Sequence, residues 1–93
     1  MGFSENSYQY ATVSVAGTVN VTGNPVMVHT VNITDVATGK LLTLCDGTTA
    51  TSATVGIFDA DTTGSYLLDA ELGNGIKIVT DGDVKACVTF KEI

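Results

Sequence analysis

The chain has 93 residues and a net charge of −6, from ten acids against four lysines with no arginine. That length accommodates a single domain, and without clustered cations the chain is unsuited to nucleic acid, whose phosphates need neutralising and whose bases are read largely by arginine. Only 15% of its residues are charged while 44% are hydrophobic, against roughly 25% charged in an ordinary soluble domain, so part of the surface is expected to be covered by something other than water.

Residues 1–10, MGFSENSYQY, place Phe3, Tyr8 and Tyr10 among small polar residues with neither a helical nor a strand period. They read as an N-terminal arm whose aromatics are candidate partner contacts. The stretch has no basic start and no apolar run, and no segment of the chain approaches the roughly 18 apolar residues of a membrane-spanning helix. No secretory signal and no membrane partner are therefore expected, and synthesis in a cytoplasm is.

From Ala11 onward, period-two alternation of Val, Ile, Leu and Thr marks short strands, and residues 11–93 read as one domain. Val13 and Val15, then Val19 and Val21, give two strands, interrupted at Ala16-Gly17 and at Thr22-Gly-Asn-Pro25. Val26 to Thr34 gives a third, with His29, Val31 and Ile33 sharing one face, and Asp35 to Gly39 supplies a turn. Lys40 to Asp46 sets Leu42 and Leu44 on one face and Leu41, Thr43 and Cys45 on the other. After the small, polar loop 47–53, the strand from Thr54 to Asp59 is read with Val55 and Ile57 inward and Phe58 outward. Tyr66, Leu68, Ala70 and Leu72 then alternate with Ser65, Leu67, Asp69 and Glu71.

The last two strands, Gly75 to Thr80 and Val84 to Lys91, read as hairpin neighbours. Cross-strand partners share a face, so pairing Ile78 with Ala86 through an odd loop, Asp81-Gly-Asp83, puts Ile76, Ile78, Val84, Ala86, Val88 and Phe90 inward. The same register gathers Lys77, Lys85, Cys87, Thr89 and Lys91 on the outer face. With no helix of ordinary length, seven or eight short strands predict an all-β fold, an antiparallel β-sandwich or jelly-roll-like barrel.

Few residues advertise chemistry. In DADTTGSYLLDAE, Asp59, Asp61 and Gly64 fall at the first, third and sixth positions of an EF-hand loop, yet the twelfth position is Ala70 and the flanks are strands. Calcium needs a bidentate acid there and more charged ligands than this run offers, so the segment reads as a turn between strands. Cys45 and Cys87 lack the CxxC spacing and histidine company of zinc or redox sites. Two thiols, or a disulfide within or between subunits, remain open. His29 is the only histidine and shares its face with valine and isoleucine, so it reads as structural. No nucleophile elbow or phosphate loop is present. Accordingly, the expectation is a protein that is not an enzyme and has no cofactor.

The windows 41–45, 54–58 and 76–79, which carry almost no charge, would leave aggregation-prone edges on a lone molecule. With Leu41, Phe58, Leu67 and Val79 assigned to outer faces, the chain is expected to bury a second apolar layer in a closed homo-oligomer, with a trimer as the working number.

The run from Val26 to Lys91 resembles short all-β virion proteins of tailed bacteriophages. The matching residues are Asp46-Gly47-Thr48, Gly64 with Tyr66, Asn74-Gly75-Ile76 and Val88-Thr89-Phe90. The resemblance implies a virion structural protein made in the host cytoplasm, a capsid decoration or cement protein whose partner is the phage major capsid protein. The alternative is a tail, neck or fibre component that binds a host glycan through Thr, Asn and Asp on its loops. The cysteines are not part of the shared outline.

Overall fold

A computed structural model describes residues 8–93. Eight strands run in chain order: β1 (Gln9–Val13), β2 (Gly17–Thr22), β3 (Val26–Asp35), β4 (Leu41–Asp46), β5 (Ala53–Asp59), β6 (Gly64–Leu72), β7 (Ile76–Thr80) and β8 (Lys85–Glu92). They form two four-stranded sheets, β1-β8-β3-β6 and β2-β7-β4-β5, with every pair antiparallel. Among the described residues no ladder joins the sheets, so the fold is an open sandwich and not a closed barrel. β1 begins at Gln9, inside the stretch read as an arm.

The chain passes to the other sheet at every connection except β4 to β5, which is jelly-roll connectivity. Its turns therefore alternate between two ends of the sandwich. At one end, the Ala37 N–H donates to the Ala60 carbonyl and the Ala16 N–H to Asp83, tying together the β1–β2, β3–β4, β5–β6 and β7–β8 connections. At the other, the Gly47 N–H donates to the Gly75 carbonyl and the Ile93 N–H to the Pro25 carbonyl.

Alternation explains the core. Val26, Val28, Val31 and Ile33 of β3 meet Ala86, Val88 and Phe90 of β8 within one sheet, and these pack on Leu42, Leu44, Ile76 and Ile78 of the other. Each fully buried side chain of this size contributes about 1.5–3 kcal/mol relative to leaving it in water.

Three expectations are corrected. β7 and β8 are not hairpin partners: β7 lies between β2 and β4, while β8 lies between β1 and β3. Their inward residues are as expected, because burial between facing sheets imposes the same alternation that pairing would. Lys77 consequently belongs to the opposite sheet from Lys85 and Lys91.

β5 is turned over. Leu42 pairs with Phe58 and Leu44 with Gly56, and partners share a face, so Phe58 packs on the core while Val55 and Ile57 point outward. Gly56 makes room for this arrangement, since a Cβ there would sit 3.0 Å from the Phe58 ring.

His29 does not share the core face of Val31. A bulge between Val28 and Thr30 shifts the alternation by one residue, so Val28 and Val31 are both buried while His29 is half-exposed.

Candidate functional site

The end of the sandwich that carries the β3–β4 and β7–β8 connections is the most charged part of the described surface. Five carboxylates, Asp35, Asp59, Asp61, Asp81 and Asp83, lie on its turns and strand ends beside two lysines, Lys40 and Lys85. Their placement is fixed by the backbone. Oδ1 of Asp81 accepts the Leu41 N–H at 2.8 Å, Oδ1 of Asp83 accepts the Ala16 N–H at 3.1 Å, and Oδ1 of Asp61 accepts the Gly39 N–H at 2.7 Å. Asp59 accepts the N–H of Asp61 at 2.6 Å, and Asp35 lies 3.5 Å from Lys85 Nζ.

These short acids were chosen for turns, which Asp closes by accepting a nearby N–H. Because each such bond uses one oxygen, the loops that staple this end also display negative charge. The stretch DADTTG is the β5–β6 turn, and Asp59 and Asp61 are turn residues in it. Among the described residues, no group of three or more His, Cys, Asp or Glu is arranged to hold a metal ion.

The opposite end holds a concavity of about 450 Å³ under the β4–β5 loop, lined by Asp46, Thr48, Thr49, Thr51, Ser52 and Asn74 among others. Its polar groups bind one another. Asp46 accepts the Asn74 N–H at 2.9 Å, the Ser52 hydroxyl accepts the Thr49 N–H at 3.0 Å, and Lys77 Nζ donates to the Thr49 carbonyl at 2.6 Å. Lys77 is thereby buried beneath the loop.

Phe3 lies outside the described residues. Tyr8 stacks on the His29 ring with centroids 4.5 Å apart, and Lys91 Nζ lies 5.7 Å from the Tyr8 centroid. Tyr10 and Leu67 are exposed on the outer face of the β1-β8-β3-β6 sheet, on either side of Thr89 and Thr30, whose hydroxyls share a 2.6 Å hydrogen bond. Leu41 is exposed and Val79 half-buried on the outer face of the other sheet. Phe58 is the exception in that set: it points inward, 5.1 Å from the Tyr66 ring. Cys45 and Cys87 sit in different sheets as free thiols, the first buried and the second half-buried.

Sequence reasoning missed the outward placement of Val55 and Ile57 and the gathering of acids at one end. The first had a signal: Phe58 is the one aromatic of β5 and a glycine stands two residues before it. The second depends on connectivity, which alternation does not reveal.

No protein-family model matches the chain, and no curated protein does. A solved structure that does match is described as "Drosophila NLP-core", reported for insight into pentamer formation and histone binding. It is 13% identical, covers 94% of this chain and 98% of its own, and superposes with a TM-score of 0.61.

At that identity the likeness shows the fold alone.

Because the protein that shares this fold is not a virion component, the phage reading is withdrawn, and with it the capsid partner, the virion localisation and the tail or glycan-binding alternative. The residues behind that reading are sandwich grammar. Asp46-Gly47-Thr48 and Asn74-Gly75-Ile76 form two turns at one end, and Val88-Thr89-Phe90 is a strand with a buried, half-buried and buried residue in succession. Such features recur wherever two sheets pack and carry no information about a partner.

Proposed function

We propose that this chain is a non-catalytic, homo-oligomeric binding protein that holds a basic protein of the histone type on its acidic end. One observation carries the reading: three connections of the sandwich, β3–β4, β5–β6 and β7–β8, bring five carboxylates to one end of the molecule. With five carboxylates against Lys40 and Lys85 this end is net negative, and such a patch raises the local concentration of an oppositely charged partner and speeds its capture. The nucleoplasmin-like NLP core, whose fold this chain shares, is described as pentamer-forming and histone-binding, which supports both halves of the proposal. Five subunits is accordingly the proposed number, in place of the trimer expected from sequence.

In an oligomer the acidic ends would repeat, so that weak contacts act together and avidity exceeds that of any single subunit. The test is to mix the purified chain with core histones and follow sedimentation at low and at high salt. A complex that forms at low salt and dissociates as salt rises is expected, since contacts between exposed charges are screened beyond about 10 Å at 0.1 M. No complex at low salt would remove histone-type proteins as the partner, and a sedimenting mass equal to a single 9.6 kDa chain would remove the oligomer.

A further inference from the structure

The outer face of the β2-β7-β4-β5 sheet carries fewer charges than that of the other sheet. Thr18 pairs with Val79, Val79 with Thr43, and Thr43 with Ile57, so one row of apolar and hydroxyl side chains crosses all four strands. Leu41 and Val55 flank it. Ile57 is 61% exposed, Leu41 42% and Val55 39%. Its charged residues are Lys77, already buried under the β4–β5 loop, and two at the margin: Asp59 and Asp81, whose carboxylate accepts the Leu41 N–H. The outer face of the other sheet instead carries Lys85, Lys91, His29, Asp69 and Glu71.

We infer that this face, centred on Ile57, Leu41, Val55 and Val79, is the surface by which one copy of the chain binds another. The inference rests on the oligomeric reading above and adds the surface that is buried. Charge selects the occupant. A chain of net charge −6 meets itself at least cost where it carries almost no charge, because juxtaposed like charges oppose association. A basic partner is drawn to the acidic end and gains nothing electrostatic on this face.

The size is sufficient. The molecule measures 41 × 29 × 19 Å, so a broad sheet face can supply the roughly 800 Å² per partner of a standard interface. β5 is an outer strand with no charge and no proline from Ala53 to Phe58. Edge strands of free-standing sheets are normally blunted by such residues, and a covering neighbour makes them unnecessary.

The test uses Ile57→Asp and Leu41→Asp, both at exposed positions, with Leu67→Asp on the opposite sheet as control. Native mass is read by light scattering and folding by circular dichroism. The expected result is an oligomeric wild type, an oligomeric Leu67→Asp, and folded single chains of 9.6 kDa for the other two. As a measurement independent of substitution, amide exchange in β5 of the wild type is expected to slow as protein concentration rises. An oligomer that survives Ile57→Asp and Leu41→Asp, or dissociates only on Leu67→Asp, overturns this face and leaves the oligomeric reading standing. A wild type that is monomeric at all concentrations overturns both. If the two variants unfold, β5 exchange independent of concentration overturns the inference alone.

Discussion

His29 and Asp69 face each other across the β3/β6 ladder, with Nδ1 of the histidine 2.6 Å from Oδ1 of the aspartate. They occupy one irregularity. Val28 pairs with Ala70 and Thr30 with Leu67, so His29 stands opposite two residues, Leu68 and Asp69. Asp69 is the one described non-glycine residue with a left-handed backbone, at φ 48°. Asp and Asn tolerate that region, whereas a β-branched residue does not. Asp69→Asn is expected to hold stability within about 0.5 kcal/mol, and Asp69→Val to lose roughly 1–2 kcal/mol more. His29→Ala, which removes an exposed pair, is expected to cost about 0.5 kcal/mol. Urea unfolding separates the three. Equal midpoints for Asn and Val at position 69 would show that the backbone there bears no constraint.

Gly75 is the position least able to accept a side chain. It has φ 104°, and a Cβ would lie 2.0 Å from the Thr22 carbonyl oxygen, a backbone atom that cannot swing aside. Gly75→Ala is expected to destabilise by roughly 3 kcal/mol or more, combining steric overpacking with an unfavourable φ. Gly64, with nothing within 4 Å of its Cβ position, is the matched control. Gly64→Ala is expected to shift the urea midpoint little, and a similar shift for both would refute the close approach.

Phe58 belongs to the core in spite of its place in a half-exposed strand. Truncation to Ala is expected to cost about 2 kcal/mol, below the range of roughly 3–5 kcal/mol for a fully buried phenylalanine. Phe58→Leu should restore much of that. Gly56→Ala is a second probe of the same packing, because the new methyl group would press on the Phe58 ring at 3.0 Å. If Phe58→Ala leaves thermal unfolding unchanged, the orientation of β5 described above is wrong.

The two thiols should differ in reactivity. Cys87 is half-buried on an outer face, while Cys45 is 5% exposed, and access limits attack on a thiol. Under native conditions a maleimide is expected to modify Cys87 first, with Cys45 following only after denaturant is added. Intact mass after timed quenching checks the order. Prior modification of Cys45 would contradict its burial.

The strand content was legible because alternation over Val, Leu and Ile is strong from Val13 to Phe90. Faces were legible wherever one parity is apolar and the other polar, as in β8, where Ala86, Val88 and Phe90 alternate with Lys85, Cys87 and Thr89. β5 failed that condition. Val55, Ile57 and Phe58 supply apolar residues of both parities, and only pairing with Leu42 and Leu44 decides between them. β3 was misread at His29 because a bulge resets the period without a mark in the local sequence. The β7–β8 connection is short enough for a hairpin, but it crosses from one sheet to the other. The acidic end was invisible for the same reason, since Asp35, Asp59, Asp61, Asp81 and Asp83 are scattered along the chain and are collected only by the jelly-roll path.

That path also governs when the molecule can exist. The inner strand of one sheet next to β2 is β7, and the inner strand of the other next to β1 is β8; both are supplied by residues 76–92. Until those residues leave the ribosome, β1 and β2 have nothing to pair with, and only the β4–β5 ladder joins consecutive strands. Completion of both sheets thus waits on the last two strands, and pairings this distant in sequence are of the slow-forming kind.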